Sequence, residues 1–273
     1  MAETKDISEM IKMRRSVRTF DKNDLKEEDL AQIKEFIKNV KNPYDIPVEF
    51  RLLDPVEHGL KSKVLKGEEL YIGAKVKRVP HFEEAFGYSF EAMVLFARSL
   101  GVGTVWIAST MNRDAFEKAM ELGDDEIMPC VSPLGYPSDK MSVVETVMRK
   151  TMGADKRRGR EEIVFEKEFG NSFNSCEDKL LENALEMVRL APSAKNMQPW
   201  RMIISDNAVH FYEKKNPGFD RKEAGDIQKI DIGIAMYHFA KAMEGGGRVV
   251  TLNTDDPGLS IPEDVVYVST YSW

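Results

Sequence analysis

Cysteine is scarce: Cys130 and Cys176 are the two in the chain, with no CxxC pair and no histidine at metal-ligand spacing from either. A disulfide framework is thereby excluded, and no zinc site is suggested. Histidine is nearly as sparse, and His58, His81, His210 and His238 lie too far apart to form a ligand set, so no metal is expected. Long apolar runs are also missing. No stretch reaches the roughly 18 uninterrupted apolar residues of a membrane span, and the start, MAETKDISEMIKMRRSVRTF, carries charge throughout, unlike a signal peptide or anchor. Nor is there an excess of positive charge. Lys and Arg total 39 against 46 Asp and Glu, a net charge of −7, which argues against a general nucleic-acid binder and makes any anion site local. No GxGxxG follows a strand, which removes a dedicated Rossmann dinucleotide site. A cytoplasmic protein without membrane or nucleic-acid partners is the expectation, and 15 methionines fit that reducing compartment.

Enough apolar material is present to fold. Hydrophobic residues make up 42% of 273, which suits two halves of roughly 130 to 150 residues each. From Leu30 the apolar positions Leu30, Ile33, Phe36, Ile37 and Val40 follow helical spacing, with Asn23 and Asp24 as candidate caps. VEFRLL at Val48 to Leu53 reads as a strand, Ala85 to Gly101 as a helix buried on most faces, and TVWIA at Thr104 to Ala108 as a strand. Met128 to Pro137 starts as a strand and breaks into a Pro and Gly turn. The order then recurs: helix Leu180 to Val188, strand Trp200 to Ile204, apolar helix Ile230 to Met243, strand Val265 to Ser269. Pro47 matches Pro199, Gly87 matches Gly233, and Val131-Ser132 matches Val268-Ser269, in order and at a slowly shrinking spacing, as a duplication with deletions would give. Lys150 to Phe169, dense in charge, reads as an exposed connection. The expectation is an α+β fold of two halves, residues 1–165 and 166–273.

Two segments carry chemistry. In Arg14-Arg15-Ser16-Val17-Arg18-Thr19-Phe20, three guanidinium groups and two hydroxyls offer the fixed charge and paired donors that a phosphate monoester wants. By residue types alone the same stretch also suits a solvated helix end or a regulatory phosphorylation sequence. Ala191 to Trp200, APSAKNMQPW, is a loop bracketed by prolines between a helix and a strand. It could present donors and acceptors to a flat heterocycle, or merely use Ser193 and Asn196 on its own backbone. Cys130 reads as core, and packing is the ordinary role of Phe86, Tyr88 and Trp106.

Taken together these segments resemble the flavin nitroreductase family. RRSVRTF is similar to its RRSxRxF, APSAKNMQPW to its xAPSxxNxQPW, SLGVGTVWI to its central helix and following strand, and PLGYP to its turn after the last core strand. In that family the active sites form between two subunits. Here the first half has KNPYDIPVEF where the loop belongs, and the second half has no RRSxR and no GYP turn, so each half lacks what the other holds. The resemblance therefore implies a nitroreductase-like fold whose halves form an internal pseudo-dimer with one FMN site, so that the chain can act as a monomer. It implies Arg14, Ser16 and Arg18 at the phosphate and ribityl chain with Arg15 in support, and Arg157 or Arg158 as a further phosphate contact. Pro192, Ser193, Ala194, Asn196 and Gln198 would line the isoalloxazine edge, and the backbone of Leu134 and Gly135 would meet flavin N5. Ala194 departs from the family's second serine and loses a hydroxyl. No catalytic side chain is implied. NADH or NADPH would reduce the flavin and a nitro-aromatic, quinone or related small acceptor would reoxidise it in ping-pong fashion. The alternative is a flavin-binding protein without turnover, a carrier or sensor.

Overall fold

The computed structural model describes residues 6–273. In chain order the elements are α1 (Ile7–Met13), α2 (Glu27–Lys38), β1 (Val48–Leu53), α3 (Pro55–His58), β2 (Leu70–Lys77), α4 (Phe82–Ser99), α5 (Arg113–Ala119), β3 (Glu126–Ile127), β4 (Val131–Leu134), α6 (Val143–Thr151), α7 (Arg160–Ile163) and β5 (Val164–Glu166). There follow α8 (Lys179–Arg189), a 3-10 turn (Ala194–Asn196), β6 (Trp200–Ser205), β7 (Ala208–Lys214), β8 (Asp220–Arg221), β9 (Gly225–Asp226), α9 (Ile227–Gly245), β10 (Thr251–Asn253) and β11 (Val265–Ser272).

The fold is α+β, and it repeats. In the first half β1 and β4 both pair antiparallel with the central strand β2. In the second, β6 and β11 both pair antiparallel with the central strand β7. A helix precedes each set, α2 or α8, and a long apolar helix follows its central strand, α4 or α9. These two long helices cross at the centre of the molecule, and matched glycines make the crossing possible. A Cβ on Gly87 would lie 2.1 Å from the Ile230 carbonyl oxygen, and one on Gly233 would lie 2.2 Å from that of Glu84. Because Glu84 and Ile230 stand in the same relation to their glycines, the contact is reciprocal, the mark of an isologous interface, here between two parts of one chain. The halves form an internal pseudo-dimer of α+β type.

Several expected details are corrected. Thr104 to Ala108 is not a strand: it makes single bridges, Ile107 with Val131 and Thr104 with Ser16. Its backbone groups are taken by side chains instead, the Val105 N–H donating to Ser132 Oγ and the Ala108 carbonyl accepting from Arg113. Helix α2 begins at Glu27 with Lys26 at the cap position and no side-chain cap. Asn23 and Asp24 therefore do not cap it; Glu27, Glu28 and Asp29 place negative charge on its first turn instead. The segment from Lys150 to Phe169 is more than an exposed connection, since Ile163 and Val164 are buried core and β5 runs parallel to β6 in the second sheet. The boundary expected between residues 165 and 166 falls inside β5.

Candidate active site

After α1 the chain leaves the helix at Arg14 in extended conformation and threads between other elements, Ser16 bridging Thr104, Thr19 bridging Lys66 and Phe20 bridging Pro137. Extended backbone alternates its side chains. Arg14, Ser16 and Arg18 accordingly face a cavity of about 260 Å³. Arg15 does not line it; its guanidinium pairs with the buried Glu145 of α6 at 2.9 Å. The other Glu145 oxygen accepts the Arg18 N–H at 3.1 Å, so one carboxylate fixes the strip from behind.

The loop after α8 supplies the opposite wall. Lys195, Asn196 and Gln198 all have φ between 50° and 56°, a costly region for residues with a Cβ, and several bonds hold them there. Ser193 Oγ accepts the Gln198 N–H at 2.9 Å, and both oxygens of Asp231 on α9 accept the Ala194 N–H at 3.1 Å. Asn196 Nδ2 donates to the carbonyls of Gly153 and Lys156 at 2.8 and 2.9 Å, and its oxygen accepts from Arg157 at 3.3 Å. Asn196 thus staples the loop to the segment that carries Arg157.

Pro192, Ser193, Ala194, Asn196 and Arg157 reach the same cavity as the N-terminal strip. Gln198, Arg158, Leu134 and Gly135 do not line it. The Gln198 side chain is buried and accepts the Arg158 N–H at 2.8 Å, while the Arg158 guanidinium turns to Glu162 at 3.0 Å. Leu134 pairs with Leu70 in the first sheet, and the Gly135 carbonyl accepts from the Gly103 N–H. Val105 to Thr110, the stretch kept out of the sheet, forms a wall of the cavity. Sequence reasoning also missed Arg149, Met148 and Met152 on and after α6, Lys195, Phe219, Arg221, and the α9 face Ile227, Ile230, Asp231 and Ile234. Asp231 had a visible signal: it is the lone carboxylate in the run IDIGIAMYHFA.

Electrostatics divide the cavity. Burial lowers Arg14 and Arg18 from the usual guanidinium value; Glu91 and Glu145 respectively pull them back up, and the neighbouring Arg149 charge lowers both further. Burial and then the Arg14 charge lower Arg157. Four guanidinium groups converge here. Among the described residues no hydrogen bond engages the Arg14 guanidinium, and Nε of both Arg18 and Arg157 is buried without a partner. Such a cluster suits an anion with several oxygens. On α9 the sign is reversed: burial first, then Asp226 and Glu213, push the Asp231 carboxyl well above the usual range. Burial likewise pushes up the Cys130 thiol, which lines the cavity as a neutral group.

Residues 6–243 match the family model described as "Putative TM nitroreductase". The chain belongs to this nitroreductase family. Among solved structures, a Thermotoga maritima protein described as a "putative nitroreductase" aligns with TM-score 0.63 and 20% identity, covering 100% of this chain and 95% of its own. An FMN-dependent nitroreductase of Clostridium difficile matches with TM-score 0.42 and 18% identity over 49% of this chain and 88% of its own. An iodotyrosine deiodinase bound to FMN and 3-iodo-L-tyrosine matches with TM-score 0.42 and 17% identity over 50% and 92%. No protein of curated function matches the chain in sequence.

Behind the cavity this nitroreductase-family chain carries a polar line from one half into the other. Trp106, in the wall, donates its indole N–H to Glu91 at 3.1 Å; the other Glu91 oxygen lies 3.0 Å from His238 Nε2, and His238 Nδ1 lies 2.9 Å from the Met187 carbonyl. Glu91 and His238 are both 0% exposed. A carbonyl only accepts, so the hydrogen in the contact with Met187 is carried by Nδ1. No described helix is long and apolar enough to cross a membrane, and no group of three potential metal ligands occurs among the described residues.

Proposed function

We propose that the chain is an FMN-dependent oxidoreductase that takes electrons from NADH or NADPH and passes them to a nitro-aromatic, quinone or related small acceptor, the two substrates using one place in turn. One observation carries this reading: Arg14, Ser16 and Arg18 of the first half and Pro192 to Asn196 of the second meet at one cavity, although nearly 180 residues of sequence separate them. The residues present fit the cofactor. Unpaired guanidinium groups and the Ser16 hydroxyl suit its phosphate, and a wall of Val105, Ile107, Ile227, Ile230 and Ile234 suits a flat ring system.

When bound, FMN supplies the hydride and electron chemistry. The chain supplies the rest. Arg14, Ser16, Arg18 and Arg157 hold the phosphate, and Pro192, Ser193 and Ala194 bound the ring while the isoleucines exclude water. Arg15 acts through Glu145 by fixing the strip, and Arg158, Gln198 and Asn196 act by fixing the loop. Leu134 and Gly135 stand outside the cavity lining, and the Gly135 carbonyl acts by fixing Gly103 just ahead of the Val105 to Thr110 wall. The internal pseudo-dimer replaces a homodimer, and the working form is a cytoplasmic monomer with no nucleic-acid partner.

The test is anaerobic stopped-flow of the FMN-loaded protein with each nicotinamide. Bleaching of the flavin band by NADH or NADPH, and its return on adding a nitro compound or quinone, is the expected result. Loaded protein that neither nicotinamide bleaches would overturn the enzyme reading and leave a flavin binder without turnover.

A further inference from the structure

Resting on that reading, we propose that Asp231 is the catalytic residue that delivers a proton to the acceptor. Two-electron reduction of a quinone by a flavin-class hydride donor gives the hydroquinone monoanion, which still needs one proton. In the proposed step the Asp231 O–H bond breaks, its proton joins the phenolate oxygen, and the bonding pair stays behind as carboxylate, which solvent reprotonates between turnovers.

The geometry supports the assignment. Asp231 is 3% exposed and lines the cavity on a helix face whose other members, Ile227, Ile230 and Ile234, are apolar. A carboxylate can accept about four hydrogen bonds. Among the described residues this one receives a single shared donor, the Ala194 N–H, and forms no ion pair. An ionised carboxylate with one donor in an apolar cavity is poorly solvated, so the proton stays. The charged groups around it act the same way or abstain. Asp226, the N-cap of the same helix, and Glu213 on β7 both raise it. Cys130 across the wall stays neutral. Lys195 and Arg221 line the cavity without an ion pair to it, and the four arginines answer to Glu91, Glu145, Asp155 and one another. A carboxyl held well above the usual carboxylate range, in a cavity that would take the acceptor, fits a proton donor.

Asp231→Asn keeps an oxygen for the Ala194 N–H and has no proton to give. The FMN-loaded wild type and D231N are each reduced with one equivalent of dithionite and mixed anaerobically with a quinone or with ferricyanide, which takes electrons without protons. We expect D231N to load FMN normally, to reduce the quinone at least ~100-fold more slowly, and to reduce ferricyanide within about twofold of wild type. Equal quinone rates would overturn the assignment while leaving the flavin reading intact; wild-type protein that takes up no FMN, or is not reoxidised by ferricyanide, would instead overturn the flavin reading on which it rests. Independently of turnover, carbon-13 NMR of aspartate-labelled, flavin-free protein should show the Asp231 carboxyl still protonated at pH 6. Titration in the ordinary range near 4 would contradict the proposal even if D231N fails to fold.

Discussion

In the second half the loop between α8 and β6 is held open by Asp231, Ser193 and Asn196, and a cavity lies against it. In the first half the corresponding loop, between α2 and β1, carries Tyr44, whose ring stacks on His81 at 5.2 Å and whose hydroxyl lies 2.7 Å from Ser269 Oγ. At the offset that matches Pro47 with Pro199, Tyr44 is the repeat partner of the cavity-lining Asn196, so its side chain stands at the first half's counterpart of that position. The loss is physical as well as sequential: an aromatic side chain now packs where a ligand would enter, and burial together with Glu84 holds the Tyr44 phenol well above its ordinary range. At the site the halves differ in one loop and one arginine strip, on scaffolds that still pair their central strands and long helices alike.

The largest effect is expected where the halves meet. Gly87→Val would drive a side chain into the Ile230 carbonyl, and Gly233→Val into that of Glu84; each should cost on the order of 4 kcal/mol or more, seen as loss of cooperative unfolding or of soluble protein. Tolerance of one and not the other would break the reciprocity. Next, Glu91→Ala strands His238 and leaves the buried Arg14 without its balancing carboxylate, a loss of about 3–5 kcal/mol in urea unfolding at neutral pH. Arg14→Ala tests the division of labour between the halves: FMN binding should weaken roughly 10–100-fold, from a charged hydrogen bond worth about 1.5–3 kcal/mol, while riboflavin, which has no phosphate, should bind as before.

A smaller effect belongs to the closed side. Glu213, near Glu84 and Asp226, is pushed up to about 7 by burial and then by Asp226, against the pull of Lys215 and Lys229. Its folded value exceeds the unfolded one, so the folded chain holds the proton more tightly and stability falls as pH rises from about 4.5 to about 7. Glu213→Gln removes that loss and should raise Tm at pH 7.5 by roughly 2–4 °C, with no gain at pH 4. An equal gain at both pH values would mean the effect is packing. The smallest change is expected of Arg158→Ala, whose guanidinium pairs with Glu162 at the surface and should shift FMN affinity less than about threefold.

The repeat was legible in the sequence because its markers are local. Prolines before matched strands, glycines in matched helices and two apolar helices hydrophobic on most faces survive in a single chain. That Gly87 and Gly233 meet across the crossing could not be read, since the contact exists only once both helices are packed. Strands β2 and β7 escaped notice because LYIGAKVK and AVHFYEK mix glycine, lysine and histidine into runs that the folded chain nonetheless buries. In the site, the residue types of the strip and loop pointed to one place, and period-two alternation along Arg14 to Arg18 was available to turn Arg15 away. Leu134 and Gly135 were expected through a turn resembling a family motif, and in the folded chain they lie outside the cavity lining. The real wall is a failed strand, and of the two side chains that take its backbone groups, Arg113 follows it closely while Ser132 lies far along the chain.

The most direct measurement is the flavin stoichiometry of the purified protein, taken from its visible spectrum after saturation with FMN and removal of the excess. One equivalent per chain is the expected result, from a site composed of both halves and a mirrored position closed by Tyr44. Two equivalents would contradict the closed side, and none would contradict the composite site itself.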